Sequence, residues 1–119
     1  MRTIKIINLT PHDIVLLDPH TLQAIHTFPA STEPPRCPPR TETEEVVQLE
    51  DSKVLVSLTH TRYEKAITMP EPQPYTLFIV SDIIAQNLSK VRDDLRIPNG
   101  LIRDPKTKKI LGCKSLGRI

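Results

Sequence analysis

Apolar and polar residues alternate over residues 3–9 (TIKIINL) and 13–17 (DIVLL), both rich in β-branched side chains, and Thr10-Pro11-His12 between them has turn chemistry. Two strands are expected there. Alternation returns over residues 22–28 after Asp18-Pro19-His20-Thr21, and the same turn recurs as Asp104-Pro105-Lys106-Thr107 between LIR and KKILGC. Aspartate suits the first position of such a turn and proline presets φ at the second, so each predicts a hairpin, the later one reached through Asn99-Gly100. The flanks of the two turns share only an apolar pattern, which is no ground for an internal duplication.

Residues 29–39 hold five of the twelve prolines, which removes backbone donors and predicts a loop over 29–41. Residues 44–49 (EEVVQL), 53–58 (KVLVSL) and a stretch near 62–68 read as further strands, the first two joined through Glu50-Asp51-Ser52. After Pro70, Pro72 and Pro74, the continuous apolar run of residues 76–81 (TLFIVS) predicts a strand buried on both faces at the centre of the sheet. A helix should follow at once: Ser81 suits the N-cap, Asp82 favours the positive end of the dipole, and Ile84, Leu88, Val91 and Leu95 repeat at helical spacing. Asp93 and Asp94 would oppose the dipole at its far end, so each is expected to meet an arginine, Arg103 first. The chain is expected to be α+β: a mostly antiparallel β-sheet or partly open barrel with one helix after the central strand, in one β-rich domain over residues 1–119.

Composition narrows the classes. At 119 residues, 38% hydrophobic and 25% charged, the chain suits one globular core and not a disordered polyampholyte. No apolar run approaches the roughly 18 residues of a membrane span, and the N-terminus alternates like a strand, so a cytoplasmic location without membrane attachment is expected. The net charge of +2 is unevenly spread: residues 90–119 carry nine Lys/Arg against three acids, residues 32–72 five against eight. A basic segment attracts phosphate or nucleic acid. Four aromatics (Phe28, Tyr63, Tyr75, Phe78) are too few for a base-stacking platform, and sequence-specific nucleic-acid binding is not expected.

Cys37 and Cys113 match no zinc spacing and are expected to be free thiols. His12, His20, His26 and His60 form no HxH, HExxH or Cys/His pair, so no metal and no cofactor is expected. His12 stands out because it follows Thr10-Pro11 at a strand break, where a side chain projects into a cleft or packs in the turn. Arg92-Asp93-Asp94 suits either a clamp for a small anionic ligand or an ion-pair network with Arg103. Ser81, where a buried strand opens a helix, either caps that helix or meets an anion through neighbouring amides. Two adjacent carboxylates also suit acid and base work, but no nucleophile or oxyanion donor set accompanies them. Pro35-Arg36-Cys37-Pro38-Pro39-Arg40 fits a polyproline ligand pattern, against which stands a stiff connecting loop.

The combination of Asn8-Leu9-Thr10-Pro11-His12, Phe28-Pro29-Ala30-Ser31 with Arg36, Arg62-Tyr63, Pro70-Glu71-Pro72, Tyr75 to Ser81, Arg92-Asp93-Asp94-Leu95, Arg103-Asp104 and Gly112-Cys113 resembles a family of small, mostly uncharacterised proteins of bacteria and their phages. The likeness runs nearly end to end, with Thr32 and Glu64 where relatives usually have glycine. It implies a β-rich domain and a site at which His12, Arg36, Arg62, Arg92, Asp93, Asp94, Arg103 and Asp104 converge. It also implies a role in binding, by analogy with phage proteins that sequester a nucleotide signal of host defence or occupy a host protein. The leading expectation is a small-ligand binding protein for a nucleotide-like or phosphate-bearing molecule, with homo-oligomerisation left open. The alternatives are a small hydrolase or lyase using His12 with Asp93 or Asp94, and a partner-binding or structural protein without a ligand.

Overall fold

Two hairpin turns of one chemistry frame the fold. In each, an aspartate carboxylate accepts two successive backbone N–H groups: Asp18 from His20 and Thr21 at 2.8 and 3.0 Å, Asp104 from Lys106 and Thr107 at 2.8 and 3.0 Å. The fifth residue, Leu22 or Lys108, then turns left-handed at φ 61° or 63° and donates its N–H back to the aspartate carbonyl. Those N–H bonds hold both carboxyls below the usual aspartate range. The expected hairpins are thus present, with Asn99-Gly100 lying inside a strand and not at a turn.

A computed structural model describes residues 1–63 and 69–119. They form β1 (Lys5–Asn8), β2 (Ile14–Leu17), β3 (Ala24–Phe28), β4 (Pro39–Gln48), β5 (Leu55–Tyr63), β6 (Thr76–Ile79), α1 (Asp82–Leu88), β7 (Leu95–Arg103) and β8 (Ile110–Gly117). Six strands make one sheet in the order β1-β6-β7-β8-β2-β3, and β4 and β5 make a separate antiparallel ribbon. The six-stranded sheet is mixed: β1, β6 and β7 run parallel, as do β2 and β8, while β2–β3 and β7–β8 are antiparallel. Its two edge strands are drawn together at one end, where the Asn8 amide donates to the Phe28 carbonyl at 3.0 Å. The result is a nearly closed, barrel-like sheet in a mostly β chain with one short helix among the described residues.

The strand β6 is buried as its apolar run requires. Phe78 and Val80 pack with Ile84, Ala85 and Leu88 of α1 and with Leu95, and Ile79, of opposite parity, is completely buried. Pro98 is tolerated inside β7 for a local reason. The carbonyls of Asp94 and Arg96 accept from β6, and Pro98 shares their parity just past the end of β6, so its missing N–H costs no ladder bond.

Three boundaries differ from expectation. The helix ends at Leu88 with Ser89 as C-cap: Val91 is exposed and Leu95 opens β7, so the helical spacing of those two was coincidental. Strand β4 begins at Pro39, within the expected 29–41 loop, because proline can open a strand and Pro39 and Arg40 pair with Tyr63 and Arg62. The separate strands expected at 53–58 and near 62–68 are joined in β5, which the Thr59 to Tyr63 pairing carries through, while residues 64–68 of that stretch lie outside the described residues.

The molecule is elongated. The extents are 63 × 40 × 24 Å and the radius of gyration is 18.8 Å, against about 13–14 Å for a compact chain of this length.

Candidate functional site

The parallel register Asn8↔Ile79 sets the C-terminal ends of β1 and β6 side by side. The residues just beyond those ends, His12 and Asp82, border one groove with a volume of about 660 Å³. Asp13, Ile14 and Val15 continue one wall, and residues 97–101 and 110–113 of the β7–β8 hairpin form the other. The walls are mainly apolar. Among the described residues, the charged or titratable groups on the lining are His12, Asp13, Asp82 and the Cys113 thiol, with no Arg or Lys. Asp13 has a partner, since it accepts the Ala30 N–H at 2.8 Å. Gly112 is obligatory here, because a Cβ would stand 2.7 Å from the Val15 carbonyl oxygen and 2.8 Å from Leu17.

Below the groove lies a polar knot that holds the rim. Asn8 is buried; its Nδ2 donates to the carbonyls of His12 (2.8 Å) and Phe28 (3.0 Å), and its Oδ1 accepts from the Thr10 N–H (2.9 Å) and hydroxyl (2.8 Å). Ser31 donates its N–H to the Thr10 carbonyl at 2.8 Å. The two segments Asn8-Leu9-Thr10-Pro11-His12 and Phe28-Pro29-Ala30-Ser31 therefore meet in space, and their side chains serve chiefly to join β1, β3 and the following loop. Asn8 and Thr10 were not among the sequence candidates. An apolar-patterned strand ending in Asn-x-Thr-Pro was the available signal for a side-chain-locked turn.

The arginine and aspartate candidates are dispersed. Arg92 donates from Nε and Nη2 to the two carboxylate oxygens of Asp94 at 2.9 and 2.8 Å, with its guanidinium 5.9 Å from the Phe78 ring centroid. That bidentate bond holds the Asp94 carboxyl below the usual aspartate range against the opposing effect of its burial. Asp93 accepts through its backbone carbonyl from Arg96 at 2.9 Å. Arg103, expected opposite these acids, instead donates to the Lys108 carbonyl at 3.0 Å and braces the second hairpin turn, whose first position is Asp104. The separation follows from β7, which carries Arg103 eight residues along an extended strand from its start at Leu95.

Arg62 lies in β5 opposite Arg40, Arg36 is exposed in the loop before β4, and Ser81 accepts the Ile84 N–H at 3.4 Å as the helix N-cap. The expected single wall of His12, Arg62, Arg92 and Arg103 is not formed: His12 borders the groove, Arg62 is on the ribbon, and Arg92 and Asp93 line a second, small cleft of about 20 Å³ with Arg118. Burial, with Arg118 and Arg2 nearby, lowers the Arg96 pKa. This cationic cluster beside the cleft was also missed, because its members come from both chain termini and β7.

Cys37 and Cys113 are free thiols, and burial pushes the Cys113 thiol up. Among the described residues no three His, Cys, Asp or Glu side chains group as a metal site would require, and no helix is long and apolar enough to cross a membrane. Comparison with protein-family models, curated proteins and solved structures found no match.

Proposed function

We propose that the protein is a small-ligand binding protein whose groove holds a nucleotide-like molecule. The observation that carries this is the groove's make-up: about 660 Å³ of mainly apolar wall with His12, Asp13 and Asp82 at its border. Ligand pockets fall at roughly 300–1,000 Å³ and combine apolar walls with a few polar groups that fix orientation. A base and sugar suit those walls, and their amino and hydroxyl donors suit the two carboxylates. With no Arg or Lys on the lining among the described residues, a phosphate would extend toward the β7–β8 turn, where Arg103, Lys106, Lys108 and Lys109 stand. The second cleft, at about 20 Å³, is far too small for such a ligand. The phage or bacterial setting rests on the family resemblance alone.

Neither carboxylate of the hydrolase or lyase alternative supports it, since Asp93 lines the other cleft and Asp94 is engaged by Arg92. The test is the melting temperature of the chain with nucleosides, nucleotides and inorganic phosphate, with product formation followed in the same samples. Saturation about a hundredfold above Kd adds roughly 2.7 kcal/mol, which raises Tm by several degrees in a domain of this size. Val15→Trp, which fills the groove, should abolish that rise. A silent panel, a shift that survives Val15→Trp, or turnover would overturn the proposal.

A further inference from the structure

The β4–β5 ribbon exposes more apolar surface than an isolated hairpin tolerates. A two-stranded hairpin alone is marginally stable in water, and exposed contiguous apolar patches mark interaction surfaces. The pairing Val47↔Val56 and Glu45↔Leu58, continued by the Leu49 to Val54 backbone bond, puts Val47, Leu49, Val54, Val56 and Leu58 on one face of its distal half. Leu49, Val54 and Leu58 are 47, 55 and 43% exposed on this face, and Val46 and Leu55 on the opposite face are 55 and 67% exposed. The same distal half is acidic: residues 42–53 carry five carboxylates against Lys53 alone.

A surface of the opposite character exists on the same chain. The β7–β8 hairpin exposes Leu101, Ile110 and Leu111 at 45, 52 and 49%. The turn joining its strands carries Lys106, Lys108 and Lys109 beside Arg103, with Asp104 as the one acid. The acidic ribbon belongs to a separate two-stranded sheet that, among the described residues, makes no extensive contact with β7 or β8 of its own chain, so the two complementary surfaces are left to meet between molecules. Packing two ribbons on each other would instead set their carboxylates face to face.

We propose that the distal half of the β4–β5 ribbon docks on the β7–β8 hairpin of a second copy of this chain, reciprocally, to form a two-fold arm-exchanged dimer. The valine and leucine face covers Leu101, Ile110 and Leu111, and the ribbon's carboxylates meet the lysines of the turn. Reciprocity closes the contact; without it the same contact would propagate into a filament. Because Leu101, Ile110 and Leu111 also border the groove, a seated ribbon covers the groove's mouth, whatever the groove holds.

Charge exchange tests it by sedimentation velocity, with circular dichroism confirming the fold of each variant. Wild type should be dimeric, with association weakening as salt rises. K108E/K109E makes ribbon and hairpin both acidic, and E42K/E44K/E45K, which leaves Glu50 and Asp51 against four lysines over residues 42–53, makes both basic, so each alone should associate at least tenfold more weakly. An equimolar mixture should recover the dimer, because both contacts of the mixed pair regain opposite charge. A wild type that stays monomeric up to its solubility limit, variants that associate as wild type does, or a mixture of folded variants that stays monomeric would each overturn the proposal.

Discussion

The barrel and the β4–β5 ribbon are built from equally β-prone sequence, yet different forces hold them. In the barrel, β6 is buried on both faces and its neighbours are locked by buried side-chain bonds at Asn8 and by the largely buried Arg92–Asp94 pair. The ribbon has the longer ladder, nine paired positions, but nearly every residue in it is exposed. Its polar supports are surface bonds such as the Thr41 to Thr61 hydroxyl contact at 3.0 Å. Ladder bonds contribute little net free energy, because water offers the same bonds to the unfolded chain. Burial is what separates the two regions, and it sets where substitutions should hurt.

The sharpest test of that difference is Asn8→Ala. It strips the Phe28 carbonyl and the Thr10 N–H of their partner in one step, while the His12 carbonyl keeps the Thr10 hydroxyl at 2.9 Å, and unsatisfied buried groups cost about 1–3 kcal/mol each. A loss of about 3–4 kcal/mol in urea unfolding is expected. A loss under about 1 kcal/mol would mean that the knot follows barrel closure and does not cause it.

Arg92→Ala should cost about 2–3 kcal/mol, since it leaves a largely buried carboxylate beside Phe78 without its partner. This loss depends on pH. Asp94 titrates below its unfolded value in the native state, so the pair's contribution is fully present above about pH 4 and is lost as pH falls through the depressed native pKa. The stability gap between wild type and Arg92→Ala should therefore narrow in acid; a gap constant down to the acid transition would mean that packing of the guanidinium on Phe78, and not its charge, is what was lost.

At the small end, Leu58→Ser in the ribbon should shift the midpoint by less than about 0.5 kcal/mol when measured dilute enough to keep the chain monomeric, because the side chain is already largely in water. A large loss there would show that the ribbon's apolar face is covered within one molecule. Thiol labelling extends the contrast to kinetics. A disulfide reagent should modify half-buried Cys37 well before Cys113, which is buried and has a raised pKa. Equal rates would indicate that the barrel opens as readily as its surface loops.

The elements legible in the sequence were those specified by local chemistry. Both Asp-Pro turns, the doubly buried β6 and the Ser81 cap needed only neighbours in the chain. The parallel pairing of β1 with β6 was not legible, and the partly open barrel stood beside an open sheet without a choice between them, because the bonds that join the edges come from Asn8 and Phe28, twenty residues apart. The site suffered for a related reason. Arg92, Asp94 and Asp104 were offered as ligand residues but spend their polar atoms on the fold, as do Asn8 and Thr10, which were not offered. Of the nominated residues, His12 borders the larger groove; Asp13 and Asp82, which join it there, carry no spacing signal in one dimension.

The pairing of Lys5 with Thr76 has a consequence for how the chain is made. A ribosome adding about 5–20 residues per second releases the first strand several seconds before its partner exists. Throughout that interval β1 is an unpaired apolar segment, while the β2–β3 hairpin, whose partners are close in sequence, can close within about 1–10 μs of emerging. Barrel assembly can therefore begin from the β2–β3 hairpin, with β1 captured once β6 has emerged, and a short delay in synthesis after β6 would favour that pairing over aggregation of the waiting strand.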